Sequence, residues 1–314
     1  MADSISVFSS NKNKKLTISN NKISTNQNNS IYQKQFRLKD SIQKGMTFLS
    51  TGFCLIILAG IIGYTMLTGI GRIDWTFLST ATSTIRQTTG ILGNIINTCY
   101  IIVCTLVIAV PLGIGGAIYL NEYTGKGKIV KTIEFTTETL AGIPSIIFGM
   151  FGMIFFGNVL GLGYSILTGA MTLTLMLLPL IIRTTQEALK TVPSSYREGA
   201  QALGATKWHM IRTVVLPSAM PGIITGILLA VGRIMGESAA LLFTAGSGYL
   251  LPKNFDLFGK IFQPGGTLTI QMYIFMQNAE YENAFGVAVI LLALVLAINI
   301  AAGILSKRFQ EKLS

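Results

Sequence analysis

The sequence predicts an all-α membrane protein with six transmembrane helices and both termini on the cytoplasmic side. Composition points there first: 50% of the 314 residues are hydrophobic and only 12% are charged. Soluble domains carry about 25% charged residues. The 33 glycines are the second sign, since small residues let helices approach closely in a bilayer. The third is a recurrence of long uncharged runs: 27 residues at 45–71, 35 at 87–121, 44 at 139–182, 20 at 213–232 and 24 at 283–306.

A spanning helix needs about 20 mostly apolar residues. Four of the runs accommodate one span each, and the 44-residue run is too long for one. It contains a turn-like cluster, Gly157-Asn158 followed by Gly161-Leu162-Gly163, where it is expected to break. The six spans then centre near Ile57, Val103, Met150, Leu175, Leu228 and Leu294. Prolines within or beside them (Pro111, Pro144, Pro179, Pro217 and Pro221) kink helices. Bundles that line a path tolerate such kinks because neighbours satisfy the freed carbonyls.

Charge sets the orientation. Of the 24 Lys and Arg residues, 19 fall in the tails and the even-numbered connections: eight in 1–45, three in 121–138, five in 183–213 and three in 307–314. Arg72, Arg86, Lys253 and Lys260 lie on the opposite side, and Arg233 lies inside a span. By the positive-inside rule the richer side is cytoplasmic. The net charge of +11 is therefore a topology signal and not a nucleic-acid footprint.

Residues 1–45 hold seven Asn, eight Ser, eight Lys or Arg and two acids, with no sustained apolar run. Such a segment buries too little surface to offset ordering and is expected to be a disordered, basic cytoplasmic tail. It lacks the apolar core of a signal peptide. Residues 46–314 form the membrane domain. Cys54, Cys99 and Cys104 sit in apolar runs and read as buried small hydrophobes, not as a disulfide framework.

The connection at 183–213 is the most informative loop. Ser195-Tyr196-Arg197-Glu198 has the spacing of a capping box, with Ser195 as cap and Glu198 reaching back. A short helix is expected over 196–203, ended by Gly204 in a left-handed conformation. Thr206 then caps a second helix beginning at Lys207 and Trp208. Two capped helices make a rigid surface unit, suited to a protein that is pushed by a cytoplasmic partner.

The fifth span carries Ser218, Gly222, Gly226 and Ala230 at intervals of four, a stripe for close packing. Arg233 and Glu237 follow Gly226 and Ala230 by seven residues, close to two turns. They should share that packed face and pair at i,i+4. Ionisable groups in a span face the protein interior and are functional candidates. Two roles stay open for the pair: passing an anion, for which a guanidinium has matching geometry, or locking spans together. Arg183, ending the fourth span, is either a second anion contact or an interfacial arginine.

Some chemistries are excluded. Gly125-Lys126-Gly127-Lys128 lacks the spacing and final hydroxyl residue of a P-loop, so this chain is not expected to hydrolyse ATP. The single histidine, His209, leaves no zinc-protease motif.

Glu198, Ala200, Gly204, Leu216 and Pro217 match the spacing of the EAA motif of ABC-importer permeases, with Gly199 and Val214 standing where the motif has Ala and Ile. Pro111-Leu112-Gly113, Tyr119-Leu120-Asn121-Glu122-Tyr123, Pro144-Ser145, Ile182-Arg183-Thr184-Thr185, Gly236-Glu237-Ser238 and Leu241-Leu242-Phe243-Thr244-Ala245 are similar to the phosphate branch, the PstA-type permeases. The resemblance covers about residues 46–310. It implies a type I importer permease (MetI-like) fold and transport of inorganic phosphate. It makes Ser195, Tyr196, Arg197, Glu198, Gly199, Ala200, Leu203 and Gly204 the surface that couples to an ATPase. It leaves this chain without a cofactor and assigns ATP and magnesium to the ATPase. The implied partners are ABC ATPase subunits, a homologous second permease, an extracytoplasmic phosphate-binding protein and membrane lipid. Permeases for sulfate, molybdate or tungstate share the loop. An autonomous transporter or channel built on Arg233 and Glu237 is the alternative from another class, and the EAA loop speaks against it.

Overall fold

In a computed structural model, the described residues are 38–83, 88–124, 127–249, 251, 256 and 258–311. They are almost entirely helical. The chain divides into two units, 1–59 and 60–314. In the first, the described part belongs to helix α1 (Leu38–Gly69), whose apolar side chains, such as Phe48 and Leu49, are exposed. The helix begins at Leu38, within the stretch 1–45 read as the tail. Lys39, Gln43 and Lys44 are good helix formers, and extending an existing helix adds one hydrogen bond per residue fixed. Residues 1–37 lie outside the described residues, as do Arg86, Lys126 and Lys253.

The second unit opens on the rest of α1. It continues with α2 (Trp75–Ser79) and a small hairpin, β1 (Ala81–Ser83) paired antiparallel with β2 (Thr88–Ile91). Then come α3 (Leu92–Ile118), α4 (Lys128–Ala141), α5 (Ser145–Gly152) and α6 (Ile166–Lys190). The loop helices α7 (Ser194–Ala202) and α8 (Lys207–Met210) precede α9 (Leu216–Gly236) and α10 (Ala239–Thr244). Helices α11 (Leu268–Gln277) and α12 (Tyr281–Glu311) complete the unit.

Among the described residues five helices are long and apolar enough to cross a membrane, spanning Ile42–Arg72, Leu92–Tyr123, Ile166–Lys190, Lys207–Gly236 and Tyr281–Ile304. The expected third span is a broken one. Its two limbs, Val130–Ala141 and Ser145–Val159, meet at 98°. Pro144 begins the second limb with φ −58° and ψ 140°, and a proline biases the residue before it away from helix. The second limb combines the eight residues of α5 with a seven-residue π-helical segment, Met153–Val159, short of the ~20 needed to cross alone. The expected break before α6 is present, with Gly161 and Gly163 at φ of 72° and 57°.

Helix α6 is the centre of this unit. Leu173, Met176, Leu177 and Ile181 pack with Ile101 and Ala109 of α3, Phe148 of α5, Ala230 and Ile234 of α9 and Leu241 of α10. A second cluster joins Leu189 of α6 and Ala117 of α3 to Met210, Ile211, Val215 and Ile223, below the loop helices. At the other end Phe77, Ile91, Leu268, Phe275 and Val287 form a third.

One expectation about single residues is corrected. Cys54 and Cys99 are exposed and Cys104 is half-buried, because an apolar run does not fix which of its residues occupy the packed face of a helix. Lys260, which the charge count places on the external side, is fully buried, and its Nζ donates to the Pro264 carbonyl at 3.4 Å. Burial lowers its pKa from the usual lysine value, since desolvation disfavours the charged form.

Candidate functional site: the surface loop and the arginine pocket

The loop folds as two capped helices, with one change in how the first is capped. Helix α7 starts at Ser194 with Pro193 as its cap residue, and no side-chain cap bond forms. The proposed Ser195–Glu198 capping box is therefore not built. Proline's restricted φ suits the helix entrance, and the Pro193 carbonyl accepts from Tyr196 N–H at 3.2 Å. Ser195 is already inside the first turn. The end of α7 follows expectation. Gly204 has φ 83°, Gly204 N–H donates to the Gln201 carbonyl at 2.9 Å and Ala205 N–H to the Ala200 carbonyl at 3.1 Å. Together these are a Schellman motif. Thr206 caps α8, its hydroxyl oxygen accepting from His209 N–H at 3.4 Å. A π-helical turn, Ile211–Val215, then runs straight into α9.

The outer surface of the loop is apolar as well as rigid. Leu203 is 91% exposed, Trp208 59% and Tyr196 52%. A cavity of about 700 Å³ opens between Tyr196, Ala200, Leu203, Thr206, His209 and Val214. Glu198 and Gly199 are exposed beside it. Arg197 differs: it turns inward, with 21% of its side chain exposed.

The stripe on α9 packs as its spacing predicts. Gly222 lies against Ala188 of α6 and Gly226 against Thr184, so near that a Cβ on either glycine meets the α6 side chain. Arg233 continues that face. With Arg183, Thr184, Pro179, Glu187 and Glu138 it lines a pocket of about 320 Å³ between α4, α6 and α9. Arg183 is held there by Glu187 at 3.3 Å and faces Glu138 at 4.0 Å. Two of the three expected pathway residues, Arg183 and Arg233, thus share one cavity.

Glu237 does not join them. Helix α9 ends at Gly236, and Glu237 is extended, with ψ 121°. Its Oε1 accepts from Ala240 N–H at 3.0 Å. The expected i,i+4 pair with Arg233 therefore fails, since that spacing brings side chains together only within a continuous helix. The carboxylate instead serves an orphan N–H in the first turn of α10, where a negative charge is also favoured. Among the described residues Arg233 has no ion-pair partner.

Sequence reasoning missed three acids here. Glu187 was within reach as the i+4 neighbour of Arg183. Glu138 and Glu122, the acid that meets Arg197 at 2.9 Å, come from connections remote in sequence and carry no local signal.

Residues 109–314 match the family described as binding-protein-dependent transport system inner membrane component. The chain is 36% identical over 291 residues to a probable ABC transporter permease protein, YqgI, of Bacillus subtilis, covering 88% of this chain and 98% of that protein. It is 31% identical over 280 residues to the phosphate transport system permease protein PstA of Haemophilus influenzae, covering 88% and 96%. Its fold resembles a chain of a bacterial alginate ABC transporter crystallised with a pentasaccharide-bound periplasmic protein, with a TM-score of 0.65, 17% identity and coverage of 86% and 95%. Its series of apolar helices makes it a multi-pass membrane protein, and the chain belongs to the family of inner-membrane components of binding-protein-dependent transport systems.

Proposed function

We propose that this chain is a permease subunit of an ATP-driven importer that carries inorganic phosphate into the cytoplasm. The observation that carries the reading is the pocket holding Arg183 and Arg233, placed on the two helices that the surface loop connects. Motion of the loop reaches that pocket along the continuous helix Lys207–Gly236 on one side and along α6 on the other. The relatives named for phosphate transport support the choice of substrate, and the pocket chemistry agrees. Arginine forks suit a tetrahedral oxyanion. The flanking carboxylates of Glu138 and Glu187 are acceptors only. They accept a hydrogen bond from hydrogen phosphate, whereas sulfate has no proton to give at neutral pH and is repelled.

In this reading Tyr196, Leu203 and Trp208 seat the loop in a separate ATPase, which binds ATP and magnesium. Aromatic anchors such as Tyr196 and Trp208 dominate docking energetics, and Leu203 adds apolar area beside them. Glu198, Gly199, Ala200 and Gly204 belong to the same docking surface, with Ser195 at its edge. A homologous second permease completes the path, and an extracytoplasmic binding protein delivers the anion. Glu237 acts by positioning α10 and not by touching the anion.

The test is labelled-phosphate uptake in proteoliposomes. They contain this chain with its ATPase, sister permease and binding protein, with or without internal ATP, and with sulfate and molybdate as competitors. ATP-dependent uptake reduced only by unlabelled phosphate is expected. Uptake displaced equally by sulfate or molybdate assigns another oxyanion, and uptake by this chain alone without ATP overturns the importer class.

A further inference from the structure

Arg197 and Lys207, one from each loop helix, reach the same short piece of another span. That piece is the π-helical turn Tyr119–Tyr123 at the end of α3. Arg197 of α7 engages Glu122 through both sides of its fork: Nη2 donates to Oε1 at 2.9 Å, and Nε lies 3.3 and 3.4 Å from Oε1 and Oε2. Glu122 is nearly buried, with 6% of its side chain exposed, and accepts a further bond from Asn121 Nδ2 at 2.8 Å. The remaining donors of Arg197 hold the end of α6, Nη1 at 2.8 Å from the Val192 carbonyl and Nη2 at 2.9 Å from the Leu189 carbonyl. From α8, Lys207 Nζ lies 5.1 Å above the ring of Tyr123.

The loop is joined covalently to α6 and α9 only. Besides the apolar cluster that includes Ala117 and Met210, these side chains are its directional tie to α3, which in turn lies close on α6, with Gly113 directly against Ile181. A fork that satisfies two carboxylate oxygens and two carbonyls fixes both direction and distance in a way a single lysine contact cannot. The far anchor is a π turn, closed by Thr124 N–H on the Tyr119 carbonyl at 3.1 Å. Such turns are locally irregular and recur at functional sites.

We propose that Arg197 and Glu122, with Lys207 and Tyr123 as a second tie, are a positioning pair that passes movement of the loop to α3. The inference rests on the proposed function, in which an ATPase moves that loop. Arg197 is then an internal link, unlike its exposed neighbours Tyr196 and Glu198, which face the ATPase.

The experiment uses the whole complex in proteoliposomes and reads three quantities: complex content, ATP hydrolysis stimulated by the binding protein, and phosphate taken up per ATP. Arg197→Gln and Glu122→Gln are expected to assemble at wild-type content and to hydrolyse ATP. Both should lose stimulation and at least tenfold in uptake per ATP, and Arg197→Lys should recover part of it. A second variant guards against a purely local structural effect. With Cys54, Cys99 and Cys104 replaced by Ser, Glu122→Cys plus Arg197→Cys should be uncoupled until a short bifunctional thiol reagent bridges the two positions, and bridging should restore stimulation. Unchanged uptake per ATP in R197Q, losses that only follow lost complex, or a bridge that restores nothing overturns the link. The wild-type complex in the same assay separates the two ideas. No ATP-driven uptake there overturns the function itself, whereas a coupled wild type with a coupled R197Q overturns the pair alone.

Discussion

Arg233 stands two turns beyond Gly226 on α9, on the face that packs against α6, and looks into the pocket shared with Arg183. Arg233→Gln keeps a polar side chain but removes the charge and the fork. Phosphate uptake is expected to fall at least tenfold, corresponding to about 1.4 kcal/mol or more, while complex content and melting temperature stay unchanged. A large drop in melting temperature with normal uptake per assembled complex would return the residue to a structural role. Glu237 predicts the reverse profile. Glu237→Ala removes the acceptor for Ala240 N–H and is expected to destabilise by about 1 kcal/mol, the usual size of a lost cap. Glu237→Gln keeps an acceptor oxygen and should recover most of the loss in thermal unfolding.

At the level of elements, α7 allows two opposite glycine substitutions. A Cβ at Gly199 meets nothing within 4 Å, so Gly199→Ala should stabilise the helix by about 1 kcal/mol. Amide exchange across 194–202 should slow about fivefold on that energy, with uptake retained. Gly204 has φ 83°, a conformation that opposes any side chain by about 1–2 kcal/mol. Gly204→Ala should therefore speed the same exchange. The α6–α9 contact gives a sharper contrast. Gly226→Leu drives a side chain into Thr184, whereas the Cβ position at Gly232 on the same helix is open. Overpacking of this kind costs about 1–3 kcal/mol. Gly226→Leu should lower the melting temperature and abolish uptake, and Gly232→Ala should do neither.

For the whole molecule, orientation is the property that the charge count predicts. Leu203 on the loop and Trp75 on α2 are both exposed and should lie on opposite sides of the membrane. In a cysteine-free background, a membrane-impermeant thiol reagent should label Trp75→Cys in intact cells. It should label Leu203→Cys only after the membrane is opened. Labelling of Leu203→Cys in intact cells would invert the topology and with it the side from which an ATPase docks.

Most of the architecture was legible from residue order because its causes are local. Uncharged runs locate the spans, since a charge in hydrocarbon is expensive wherever it falls. Gly204 and Thr206 mark helix ends through their own backbone and hydroxyl chemistry, and the four-residue stripe on α9 declares a packing face. What the sequence left undecided involves partners far along the chain or the exact end of an element. The bend before Pro144, the end of α9 at Gly236 that separates Glu237 from Arg233, the burial of Lys260, and the meeting of Arg197 with Glu122 across 75 residues were decided by tertiary structure. Periodicity says which face of a helix a residue occupies. Only packing of the helices says where that helix stops and which distant charge stands opposite it.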